Sequence, residues 1–89
     1  MPESRQPLYS TMIDVAEEVE AARAKFPEPY ALLAALIEEV GELSKALMDE
    51  PKARVRAEAK QVAAVAIRIM EEGDPSLDRL REERGSDGA

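Results

Sequence analysis

From Leu8 onward the apolar residues Leu8, Met12, Val15, Val19, Ala22 and Phe26 recur at alternating spacings of four and three, which places them on one face of a helix. Glu17, Glu18 and Glu20 lie off that face. The stretch FPEP, residues 26–29, ends the helix, because each proline biases the residue before it toward extended backbone. Pro29 then suits the first position of the next helix. That second helix is expected from about Pro29 to Asp49, with the stripe Leu32, Leu36, Val40, Leu43 and Leu47 widened by Leu33 and Ile37. Pro51 opens a third helix over residues 52–72, whose apolar positions are Val55, Val62, Val65, Ala66, Ile69 and Met70. In GDPS, residues 73–76, Gly73 suits a C-terminal cap, Asp74 an N-cap and Pro75 a first turn. A short helix over LDRLREER follows. The pattern shows no strand alternation and no repeat of fixed period. It predicts an all-α fold with one domain over residues 8–84, flanked by a frayed start at 1–7 and a disordered tail at 85–89.

Two positions break the pattern. Glu39 continues the line Leu32, Leu36, Leu43, and Glu58 continues the line Val55, Val62, Val65, Ile69. Each is a carboxylate where a core residue is expected. Glu38 and Glu42 flank Glu39 at helical spacing, and Gln61 lies one turn beyond Glu58. An unpaired buried carboxylate is costly, so it protonates or finds a partner. Three resolutions are open. The stripe edges are solvated, or Lys45, Arg54, Arg56, Lys60 and Arg68 pair with the acids, or a divalent cation collects them between the helices.

Composition narrows the chemistry. The 89 residues contain no His and no Cys, which excludes disulfides, thiolate metal sites and histidine-based acid–base catalysis. Acid–base or metal work falls to the 19 Asp and Glu residues. An all-carboxylate site suits a hard cation, Mg²⁺ or Mn²⁺. The net charge of −7 argues against nucleic acid or an anionic membrane as partner. No apolar run reaches membrane-spanning length, and the N-terminus lacks the features of a signal peptide, so a cytoplasmic location is the expectation. With 45% hydrophobic but only 3% aromatic residues, the core must come from Leu, Ile, Val, Ala and Met. A chain this short gains from oligomerisation.

EEVGE, residues 38–42, followed after fifteen residues by EAKQ, residues 58–61, resembles the EExxE…ExxD signature of the MazG-like nucleotide pyrophosphohydrolases. The segment FPEPYALLAALIEEVGELSKALMDE is similar to that family's first motif helix with its lead-in, and EAKQVAAVAIRIMEEGD to its second. The resemblance spans about residues 8–73. It implies a MazG-like helical bundle assembled as a homodimer or homotetramer. It also implies Mg²⁺-dependent hydrolysis of a nucleoside triphosphate to the monophosphate and pyrophosphate. Carried over by position, the metal ligands are Glu38, Glu39, Glu42 and Glu58. The family's motif Asp falls on Gln61, which can offer an oxygen but neither a charge nor a base.

The residues fit such a reaction. Substrate and protein are both anions, and cations held by carboxylates reverse the local sign. Glu39 or Glu42 is the candidate base for the attacking water. Lys45 and Arg54 are candidates for contacting substrate phosphates, the alternatives being an ordinary helical pair with Glu42 or Glu38 for Lys45 and surface pairing with Asp49, Glu50 and Glu58 for Arg54. Tyr30, near the start of the acidic helix, is the candidate for stacking on the base, whereas Phe26 is expected in the core. The competing reading is a catalytically degenerate helical module that binds a partner, and Gln61 is its main support.

Overall fold

The computed structural model describes residues 5–85, which form four α-helices and no strand. Helix α1 is Leu8–Lys25, α2 is Leu32–Asp49, α3 is Lys52–Glu72 and α4 is Asp78–Glu83, the last entered through a 3₁₀ turn at Pro75–Leu77. Residues 1–4 of the expected frayed start and 86–89 of the expected tail lie outside the described residues. Gln6, within that start, donates to Asp14 Oδ2 at 2.8 Å and accepts from Arg56 Nη2 at 2.6 Å.

The third helix is central, because both α2 and α1 pack against it. This two-sided packing moves its buried arc. Ala64 is fully covered, with Glu58 and Arg68 buried on either side of it. Ala66 and Met70, expected on the core stripe, are instead exposed, Met70 at 84%. The wall of α3 facing its neighbours therefore runs through Glu58, Gln61, Val65, Arg68 and Glu72, a helical line of threes and fours that is more polar than apolar.

Helix α2 carries two apolar faces. Leu32, Leu36, Glu39, Leu43 and Ala46 turn toward α3 and are buried or half-buried. Leu33, Ile37, Val40 and Leu47 turn outward, and Ile37 is 65% exposed. The first helix is similarly thin in cover, with Val19 buried but Leu8 and Met12 exposed. Phe26, expected in the core, is exposed at 60%, and Lys25 Nζ lies 5.5 Å from its ring centre. The reason is that α1 stops at Lys25, so Phe26 is already in the turn and off the helical stripe.

The second helix begins at Leu32 and not at Pro29. Ala31 adopts a left-handed backbone, φ 59°, at a cost of about 1–2 kcal/mol for a residue with a Cβ. The compensation comes from far along the chain. The Asp74 carboxylate accepts from Ala31 N at 3.1 Å and Leu33 N at 2.9 Å, filling the role of an N-cap for α2. The same carboxylate accepts from Ser76 N at 3.1 Å and Ser76 Oγ at 2.6 Å, so it caps its own turn as the sequence suggests. Burial alone would raise the Asp74 carboxyl, but the hydrogen bonds from Leu33, Ser76 and Ala31 outweigh it and hold it below its ordinary value. Gly73, with φ 68°, closes α3 by donating to Ile69 O at 2.9 Å, a left-handed position that favours glycine.

Candidate functional site

Antiparallel packing of α2 on α3, joined by the short link at Glu50 and Pro51, sets Glu39 opposite Glu58. Glu58 is buried, with 8% of its surface accessible. Glu39 is half-buried beside it. The Glu39 carboxyl is raised above its ordinary value, first by burial, then by the charges of Glu58, Glu38 and Glu42, and last by a hydrogen bond to Glu58. The two acids that interrupt the apolar stripes therefore meet at one point of the α2–α3 seam, as like charges in partial burial.

The other expected ligands are arranged less tightly. Glu38 and Glu42 are exposed on the rim of the seam, where they act on Glu39 through charge. Gln61 is half-buried one turn beyond Glu58. The set Glu38, Glu39, Glu42, Glu58 and Gln61 does not close on a single centre, for among the described residues no three acidic side chains come near enough together to hold a metal ion. One physical reason is visible at Glu58. Its carboxylate accepts from Arg54 Nη2, and the same guanidinium donates through Nε to Glu50 Oε1 at 3.3 Å. Arg54 thus draws Glu58 along its own helix.

The candidate phosphate and base contacts are scattered. Lys45 is exposed with Nζ 4.0 Å from Glu50 Oε2, and it is not paired with Glu38 or Glu42 in the ion pairs of the structure. Arg54 is bound to Glu50 and Glu58, which is the surface-pair alternative of the sequence reading. Tyr30 is 72% exposed in the turn before α2, nine residues ahead of Glu39. The structure does not bring it to the seam. An apolar groove of about 510 Å³ between α1 and α3, with Val15, Val19, Ala63 and Ile67 among its lining, includes none of these site residues.

Several charged residues elsewhere are held in ion pairs. Arg68, only 3% exposed, donates to both oxygens of Glu72 and, through Nη1, to Phe26 O at 2.9 Å. Arg23 joins it, pairing with Glu71 and, at 2.7 Å, with Glu72. Arg56 binds Asp14 at 2.7 Å and Lys60 lies 3.8 Å from Glu18, both tying α3 to α1. Of the basic residues that sequence offered as partners for the seam acids, only Arg54 serves one of them. Glu50 is a second anchor for Arg54, as the surface-pair reading of the sequence expects. The cap from Asp74 to α2 has no local signal, because 41 residues separate Asp74 from Leu33.

No family model matches the sequence, and neither a curated protein nor a solved structure shows significant similarity to it.

Proposed function

We propose that the chain is a MazG-like, Mg²⁺-dependent nucleoside triphosphate pyrophosphohydrolase acting at the α2–α3 seam. The observation that carries this reading is the meeting of Glu39 and Glu58, two carboxylates of adjacent helices, in partial burial with a raised Glu39 carboxyl. A structural ion pair explains Glu58 in part, but nothing structural is gained by adding Glu39, Glu38 and Glu42 around it. Carboxylate and amide oxygens are donors matched to Mg²⁺ or Mn²⁺. Glu38, Glu39, Glu42 and Glu58 would hold the cation, with Gln61 adding a neutral oxygen. When bound, the cation supplies charge neutralisation for the polyphosphate and a more acidic water. Glu39 is then the residue placed to accept the water's proton, since burial and neighbouring charge already raise its affinity for one. Glu42, on the solvent rim, is the second candidate.

The outward face of α2, with Leu33, Ile37, Val40 and Leu47, supports assembly as a homodimer or homotetramer. In such an assembly a partner subunit covers apolar surface that a single chain leaves open. Lys45 and Tyr30 then serve phosphate and base only if assembly brings a nucleotide to them, because within one chain they lie apart from the seam.

The test is pyrophosphate release from each of the eight common nucleoside and deoxynucleoside triphosphates with Mg²⁺ or Mn²⁺. Release is expected from at least one, with Glu39→Gln and Glu58→Gln each lowering it by about 10² or more and Gln61→Asp preserving or raising it. The second reading is a degenerate helical module. It is favoured by Gln61 and by the Arg54 guanidinium already seated on Glu58. It predicts no release from any nucleotide and no rise in Tm on adding Mg²⁺, whereas binding of a cation to the folded chain raises Tm by mass action.

A further inference from the structure

Helices α1 and α2 both lean on α3 but not on each other. Among the described residues no Cα of α1 lies within 8 Å of one of α2, so the three helices form one open layer, whereas a stable domain closes two. Of the described apolar residues only Val19, Leu32, Ala46 and Ala64 are buried. The chain exposes 6868 Å² for a mass of 9.8 kDa, against about 5,200 Å² for a self-sufficient monomer of that size. The surplus of about 1,700 Å² exceeds the roughly 800 Å² that each partner gives to a standard interface. The α1–α3 side has room for the missing layer. Three adjoining hollows of about 510, 340 and 590 Å³ run along it and share Thr11. They form one groove from Arg56 to Glu71 of α3, about 22 Å of helix. Its middle is apolar, and the small side chains of Ala16, Ala59 and Ala63 there let another helix approach closely. Its ends carry opposite charge. Arg5, Arg56 and Lys60 line one end with Asp14, and Glu20 and Glu71 line the other with Arg23. Because Arg56 pairs with Asp14 and Arg23 with Glu71, α1 and α3 run parallel. Their dipoles therefore add to this polarity, with both positive N-termini at the cationic end.

We infer that this groove is an interface with a second copy of the chain, docked antiparallel about a two-fold axis near Ala16. The charge pattern selects both that occupant and that direction. A two-fold operation lays the acidic end of each copy on the basic end of the other, and it sets the helix dipoles of the two copies against each other. Met12, 61% exposed in the groove, is the side chain that enters the partner's apolar middle. This surface is separate from the outward face of α2 and involves neither Glu39 nor Glu58, so it stands independently of any chemistry at the seam.

The test is sedimentation equilibrium, with disulfide trapping to locate the contact. The unaltered chain is expected to sediment as a dimer or a tetramer. Met12→Glu and Ala16→Glu put a charge into the apolar middle at positions that one chain already exposes, and each is expected to weaken the groove contact about tenfold or more. The sequence contains no cysteine, so a single introduced one reports cleanly. Ala16→Cys, close to the axis, is expected to form an intermolecular disulfide on mild oxidation. Ala24→Cys, exposed on the same helix, is expected not to, because an antiparallel pair holds its two copies about 24 Å apart. Ile37→Glu, on the outward face of α2, is expected to leave the Ala16→Cys disulfide in place. A monomeric unaltered chain overturns the inference. So does an oligomer that Ile37→Glu dissolves while Met12→Glu and Ala16→Glu leave it intact, in which case the outward face of α2 is the interface and the groove belongs to another occupant. Trapping through Ala24→Cys as readily as through Ala16→Cys overturns the antiparallel docking. Circular dichroism checks that each variant is folded, and if the glutamate variants are not, the two cysteine variants decide.

Discussion

Glu39 and Glu72 are both glutamates at helix contacts with α3, and their surroundings drive them in opposite directions. Glu72 receives both guanidinium groups of the turn end, Arg68 first and Arg23 second, and its carboxyl is held down at about 2 against an ordinary 4.5. Glu39 sits in burial among Glu58, Glu38 and Glu42, and its carboxyl is pushed up. At the turn end Arg23, Arg68, Glu71 and Glu72 pair with one another, and the cluster fastens α1 to α3. In the seam Arg54 serves Glu58, while Glu39 faces the charges of Glu58, Glu38 and Glu42. A satisfied cluster describes architecture. An under-compensated cluster is the feature on which the proposed cation site rests, since perturbed carboxyls gather at functional sites more often than elsewhere.

The largest expected effect lies at the turn end. Arg68→Met removes a buried guanidinium that joins Glu72 to the Phe26 carbonyl, and urea denaturation should show a loss of about 3 kcal/mol. A loss below about 0.5 kcal/mol would show that the cluster is ornamental and dissolve the contrast. Asp74→Ala comes next, at about 1–2 kcal/mol, because it uncaps α2 and leaves the strained Ala31 without its hydrogen bond. Helix content by circular dichroism should fall at the start of α2 while the seam persists.

The smallest effect is the most discriminating, because the two glutamates have opposite signs with pH. Glu72 has a folded pKa below its unfolded one, so its stabilisation is present above about 4.5 and is lost as pH falls toward about 2. Glu39 has a raised folded pKa, so its favourable contribution is present below 4.5 and is lost as pH rises through the raised value. Melting temperature measured from acid to neutral pH should therefore lose part of its acid sensitivity in Glu72→Gln. In Glu39→Gln it should instead flatten above pH 4.5, with a gain near neutrality of a few tenths to about 1 kcal/mol, modest because the group is partly solvated. Curves of the same shape for both variants would mean that the two environments are alike after all.

The main elements were readable from the chain because helical periodicity and the prolines at 27, 29, 51 and 75 are local signals. They place α1 and α3 to within a residue of their expected ends. The two anomalous glutamates were also visible, since a carboxylate on an apolar line is a local contradiction. What escaped was anything decided by which elements touch. Phe26 continues the α1 spacing perfectly but stands in solvent, and Met70 continues that of α3 but faces neither neighbour. Arg68 could have been found, because it lies on the same line as Glu58, Gln61 and Val65, yet only a helix packed on two sides makes that line the buried one.

The order of apolar and polar residues by itself determined the helices, their breaks and the presence of acids on faces otherwise suited to burial, because each depends on spacings within a few turns. Tertiary structure decided that Glu39 and Glu58 oppose each other, that Arg54 takes the second of them, and that Asp74 reaches back to start α2. Those outcomes depend on distances between segments far apart in the chain, and a charge acquires its pKa and its role only from the neighbours that folding assigns to it.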